Sequence, residues 1–347
     1  MKKSRHLHPG LSGKAEDFRK NIPEPEVLAR QIMAGDRLAL SRALTLVESR
    51  KPEHRQMAGR VIRHILPHTG NSLRTGITGV PGAGKSTFID RLGTEWVRQG
   101  HRVAVLAIDP SSSLNRGSIL GDKTRMEHLS RLEGAFIRPM PSGDFGGGVA
   151  RHTREAVLLC EAAGFDRIVV ETVGTGQGET YVWHLTDILL LLKIPGAGDE
   201  LQGIKRGIME IADLILINKA DGELAEQAEQ AARMFQTALH YFGSRPNEQA
   251  KVMTVSALQN KNIDKVIEHL EDFYGRAQAS GQLEAKRRQQ AEYWFDEHLD
   301  EGFRQYVKNH PALRQLAGQL RLDVLGGKKT PHEAADIFWE KFTGGKS

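Results

Sequence analysis

The residues best suited to chemistry are Gly79-Val80-Pro81-Gly82-Ala83-Gly84-Lys85-Ser86, followed by Thr87, in the GxxxxGK[ST] spacing of a phosphate-binding loop. The run sits between an apolar segment ending near Thr78 and a helix-like segment beginning at Lys85. Glycines allow the backbone to turn tightly enough for several N–H groups to face one polyphosphate. Lys85 is then expected to reach the outer phosphates and the Ser86 hydroxyl to ligate Mg²⁺. The helix that follows directs its positive end at the same anion.

Three further loops carry polar residues at the ends of apolar runs. Ile215–Asp221 is a strand-like run ending in Asn218-Lys219-Ala220-Asp221, the NKxD pattern that reads guanine. Asp221 would accept from the N1–H and exocyclic amine, a donor pair that adenine lacks, while Asn218 holds the loop and the Lys219 stem lies along the ring. Taken alone the tetrad is equally an ordinary strand-end turn. A later run ends in Ser256-Ala257-Leu258, which resembles the loop that touches the guanine carbonyl. The two together favour GTP/GDP over ATP, since adenine would leave buried polar groups unpaired.

Arg167–Gly174 has the form of a strand followed by a DxxG-like switch, with Glu171 in the acidic position. A carboxylate at that strand tip can order Mg²⁺ through its water shell, and Gly174 can offer an N–H to the γ-phosphate. Thr175 stands where Ras-like enzymes carry a water-orienting glutamine, which implies slow intrinsic hydrolysis accelerated by a partner. Asp109, at the end of Val103–Ile108, and Asp122 farther on are the remaining candidates around the metal; Asp109 before Pro110 also suits a simple turn.

The elements that must position these loops are legible in outline. Short β-rich runs at Leu73–Thr78, Arg102–Ile108, Ala135–Arg138, Arg167–Glu171, Asp187–Leu192, Asp213–Asn218 and Lys251–Val255 alternate with helical stretches. Several are continuously apolar, as central parallel strands buried on both faces must be. Such alternation predicts an α/β fold, a doubly wound and mostly parallel sheet with ligands at the carboxyl ends of its strands. Residues 1–23 read as a flexible tail and 24–70 as an N-terminal helical extension. Residues 71–275 form the nucleotide domain and 276–347 a C-terminal helical arm. The arm carries a stripe of Phe295, Leu299, Phe303 and Val307, and Thr330-Pro331-His332-Glu333 announces its last helix as a capping box.

Composition narrows the function classes. The chain has 347 residues, 39% hydrophobic, with a mean hydropathy of −0.42, which suits a globular protein with a sizeable core. No apolar run reaches membrane-spanning length, and no apolar segment follows the basic Met1–His6, so neither a membrane span nor a secretory signal is expected. One cysteine, Cys160, precludes an internal disulfide and argues against a cysteine metal cage; a cytoplasmic location is expected. A net charge of +5 and a pI near 9.2 come without an arginine-rich block or aromatic platform, so nucleic acid is not expected as a partner.

Taken together, GVPGAGKST, DPSSS with GSILGDKTRM, GGVARHTRE, VETVGTGQGE and PGAGDELQGIKRGIMEIADLILINKADG resemble the metallochaperone GTPases. Within them the chain is most similar to the MeaB-like, methylmalonyl-CoA-mutase-associated GTPases, over about residues 24 to 342. The resemblance implies a homodimeric GTPase that binds an adenosylcobalamin-dependent mutase and gates loading, protection or repair of its cofactor. It implies that Gly196–Lys205 is a third switch, with Lys205 meeting transition-state charge; without the family that stretch reads as a Gly-rich connector. The arm, with Trp294 and Phe295 on or near its apolar stripe, is the candidate dimer seam; the same stripe equally suits packing on the chain's own nucleotide domain. Other readings are an ATP-using kinase or transport-associated ATPase, a nickel-insertion GTPase, and a GTP-binding adaptor without turnover. For the nickel reading the sequence offers only Cys160 and the His64/His68 pair, with no glutamate beside it.

Overall fold

The computed structural model describes residues 22–49, 51–109, 125–141, 148–172, 179–196, 206–241 and 250–344. The helices α1 (Pro25–Met33), α2 (Arg37–Val47) and α3 (Pro52–Ile65) come first. Proline in the first turn opens α1 and α3, and the Asp36 carboxylate caps α2 by accepting from the Leu38 and Ala39 N–H groups. Strand and helix then alternate: β1 (Leu73–Gly79), α4 (Lys85–Arg98), β2 (Val103–Asp109), α5 (Glu127–Ser130), β3 (Ala135–Pro141), α6 (Gly148–Ala162) and β4 (Arg167–Thr172). The second half continues with α7 (Glu179–Trp183), β5 (Ile188–Lys193), α8 (Arg206–Ile211), β6 (Leu214–Ile217), α9 (Ala225–Tyr241), β7 (Lys251–Thr254) and α10 (Ile263–Ala279). The chain closes with α11 (Gln282–Asn309), α12 (Pro311–Leu325) and α13 (Pro331–Phe342).

All seven expected strands form, and they make one parallel sheet in the order β3-β2-β4-β1-β5-β6-β7. β1 lies at its centre, between β4 and β5, so the loop leaving β1 opens where the connections diverge to the two sides. The uninterrupted apolar strands serve two cores at once. In β5, Leu189 and Leu191 face the side covered by α1–α3, α6 and α9, whereas Leu190 and Leu192 face α4 and α10. Period-two alternation thus sends successive side chains into opposite layers, and both layers are oily.

The chain divides into two compact units between Gln290 and Ala291, within α11. In the second unit Thr330 caps α13 by accepting from the Glu333 N–H at 3.2 Å, as its capping box predicts. Phe295, Leu299 and Phe303 are exposed there, whereas Trp294 is buried. Among the described residues no helix is long and apolar enough to cross a membrane.

Candidate nucleotide site

β1 ends in a loop that only glycine can build. Gly79 has φ +147°, and a Cβ there would run into the Leu192 carbonyl of β5. Gly82 and Gly84 each have φ +82°, and a Cβ on Gly84 would lie 2.6 Å from Asn218 Nδ2. Gly84 is also the residue before α4, so no side chain caps that helix and its first N–H groups remain available to an anion. Lys85 is buried and folds back on the loop, donating to the Gly79 carbonyl at 2.7 Å and the Val80 carbonyl at 3.2 Å. A phosphate oxygen at the loop would compete for these donors.

The Ser86 hydroxyl donates to Glu171 Oε1 at 3.3 Å. Glu171 is buried near the tip of β4. The neighbouring strand tips are joined by the Thr172 hydroxyl, which donates to Thr78 Oγ1 at 3.0 Å. Asp109 ends β2, one register step beyond the Ile108–Thr172 pair; its side chain, like Asp122, Gly174 and Lys205, lies outside the described residues. Among the described residues no three His, Cys, Asp or Glu side chains gather to hold a metal. The donor set that does converge, one hydroxyl and one carboxylate, consists of hard oxygens. It fits Mg²⁺, which takes one or two protein ligands and completes its shell with phosphate and water.

Asn218 ties the loop that follows β6 to the loop that follows β1. Its backbone N–H donates to the Lys193 carbonyl at 2.7 Å, which carries the chain off β6 beside β5. Its side-chain amide donates to the Ala83 carbonyl at 2.8 Å and accepts from the Ala257 N–H at 3.1 Å, so three loops meet on one buried group. Lys219 follows in the left-handed region at φ +61°, with its side chain exposed. The Ser256 hydroxyl donates to Asp221 Oδ2 and accepts from the Gln259 N–H at 3.0 Å, which orients the carboxylate. Ala257 is buried and Leu258 exposed. Thr87 is exposed on the first turn of α4.

One contributor escaped the sequence motifs. Lys261 Nζ donates to the Ala220 carbonyl at 3.1 Å, and its backbone pairs with Ser256 in an antiparallel bridge. Asn260 and Asn262, at φ +55° and +61°, make the turn that returns Lys261 to the loop. The Asn-Lys-Asn pattern was the available signal, since asparagine tolerates the left-handed region better than most residues.

The family model for "Methylmalonyl Co-A mutase-associated GTPase MeaB" matches residues 40–312. The chain belongs to this family. It is 49% identical over 314 residues to a putative GTPase of Caulobacter vibrioides, covering 89% of this chain and 95% of that one. It is 48% identical to the GTPase ArgK of Escherichia coli, over 78% of this chain and 82% of that one. A mouse protein named methylmalonic aciduria type A homolog, mitochondrial, is 40% identical over 96% of this chain and 81% of its own length. A crystal structure titled as a LAO/AO transport system kinase superposes with a TM-score of 0.75 at 37% identity, covering 93% of this chain and all of that one.

Membership in this family makes the chain a GTPase, an enzyme that binds a guanine nucleotide and converts GTP to GDP and phosphate. Two surroundings look different from their appearance in sequence. Glu26 of α1 comes within 3.8 Å of His64, a neighbour that sequence spacing does not reveal. Both side chains are exposed, so the contact contributes little. Cys160 is fully buried, and burial followed by the nearby Glu161 pushes its thiol far above the ordinary range, so it stays protonated.

Proposed function

We propose that this GTPase binds GTP with Mg²⁺ and acts as a chaperone for an adenosylcobalamin-dependent methylmalonyl-CoA mutase, gating the loading, protection or reactivation of its cofactor. The observation that carries the nucleotide half of the reading is Asn218, which bonds at once to the phosphate loop through Ala83 and to the base-side loop through Ala257. A guanine held by Asp221 is therefore in mechanical contact with the phosphates held at Lys85. The mutase half is supported by the family match over residues 40–312 and by the mouse relative named for methylmalonic aciduria.

In this reading the phosphate-loop N–H groups and Lys85 hold the β- and γ-phosphates, and Asp221, oriented by Ser256, selects guanine. Ser86 and Glu171 would hold Mg²⁺, which when bound would supply charge neutralisation for phosphoryl transfer. Asp109, Asp122, Gly174 and Lys205 complete the metal and switch contacts. Intrinsic turnover is slow because residue 175 is threonine, and the mutase accelerates it. The protein works in the cytoplasm as a homodimer joined through the C-terminal arm. The test is affinity capture of the mutase by the full chain carrying GDP or a non-hydrolysable GTP analogue. Nucleotide-dependent capture is expected; equal recovery in both states, or none in either, would remove the gating role.

A further inference from the structure

At the amino ends of β1 and β5, α11 grips the turn that follows α7. Arg287 donates from Nε to Asp187 Oδ1 at 2.9 Å and from a terminal nitrogen to Oδ2 at 2.7 Å; it also donates to the Gly70 and Ser72 carbonyls. Lys286 Nζ donates to the Asp187 carbonyl at 2.6 Å and stands 5.5 Å from the Trp183 ring centre. The amide of Gln290, one turn on and buried, donates to the Trp183 carbonyl at 3.1 Å and the Thr186 carbonyl at 2.8 Å. An ion pair alone would fasten α11 at Asp187. Gln290 instead satisfies the carbonyl of Trp183, the last residue of α7, which a helix leaves without an intrahelical partner, and that of Thr186 in the turn, while Lys286 holds the Asp187 carbonyl just before β5.

α7 is linked to the nucleotide site through β1, the strand that feeds the phosphate loop, against which it lies hard. A Cβ on Gly76 would come within 2.7 Å of Val182 Cγ1 and 2.8 Å of Thr186 Oγ1. A shift of α7 therefore cannot be absorbed beneath it. It must break the bonds to α11 and strand buried polar groups, or carry α11 with it.

We propose that Lys286, Arg287 and Gln290 form a relay that couples the carboxyl end of α7 to α11, so that exchange of GTP for GDP changes the local stability of α11. This rests on the nucleotide reading above. The three are positioning residues and touch no nucleotide. The test is amide hydrogen exchange on the full chain with GDP or a non-hydrolysable GTP analogue, read in wild type, Gln290→Leu and Lys286→Met. In wild type, exchange across residues 282–300 differs at least about twofold between the two states. In each variant that difference shrinks severalfold, while nucleotide-dependent protection at the phosphate loop persists. Lys286→Met keeps the Arg287–Asp187 pair, so it carries the test if Gln290→Leu is poorly stable. Protection at the phosphate loop with no difference in α11 of wild type, or a difference that survives in both variants, overturns the relay alone. No protection at the phosphate loop overturns the nucleotide reading and the relay together.

Discussion

At the carboxyl ends of the strands, polar side chains rest on partners that a ligand can replace; at the amino ends they are locked into ion pairs. Lys85 donates to two loop carbonyls and Ser86 to a carboxylate at 3.3 Å. At the other end Arg74 makes a two-pronged contact with Glu161 at 2.8 and 2.9 Å, and the Ser72 hydroxyl and Gly70 N–H close the remaining positions on that carboxylate. Asp187 takes Arg287 and the Arg74 N–H, while Arg167 forks onto Glu271 at 3.0 and 2.7 Å. One sheet thus separates the two demands. Its amino ends hold charges whose partners are fixed by the fold, and its carboxyl ends hold charges whose best partners arrive with the nucleotide.

Substitutions can break that contrast. Asp187→Ala leaves Arg287 in a part-buried site without its carboxylate and is expected to cost about 3–5 kcal/mol in urea unfolding, while the nucleotide affinity of the folded fraction stays within about a few-fold of wild type. Lys85→Ala does the reverse, lowering phosphate release from GTP by on the order of 10²–10³-fold while the unfolding midpoint barely moves. Asp221→Ala should weaken GTP binding by about 10- to 100-fold in a fluorescent-nucleotide titration and narrow the margin over ATP, because the base donors lose their acceptor. Thr172→Val sharpens the comparison most finely. The Thr172–Thr78 hydroxyl pair belongs to the fold although it sits at the nucleotide end, so its loss should cost about 1 kcal/mol of stability and leave affinity alone. A large affinity loss there would mean that the division between the two ends is not clean.

The sheet was legible because burial on both faces makes β2, β5 and β6 continuous apolar runs, which no solvated element can be. The phosphate loop and the Asn218–Asp221 turn were legible because each depends on local backbone geometry, and local geometry is written in consecutive residues. The clamp at the amino ends was not. Lys286-Arg287 reads as the solvated face of a long charged helix, and Asp187 lies about a hundred positions away in sequence. Nothing in their spacing announces that the fold brings them together. The same holds for Glu161, which follows the apolar run of α6 yet turns inward to Arg74. Lys261 falls between these cases: the asparagines on either side of it could have signalled its turn, but nothing points to the Ala220 carbonyl it reaches.

The proposed function joins guanine-specific hydrolysis to a turnover that answers to a cobalamin-dependent mutase. The most direct measurement is phosphate release from GTP and from ATP by the full chain, side by side, with and without methylmalonyl-CoA mutase loaded with adenosylcobalamin. Slow release from GTP, a severalfold or greater rise on adding the mutase, and negligible release from ATP in either condition are expected. Comparable or faster release from ATP, or a GTP rate that the mutase leaves unmoved, would contradict the proposed function.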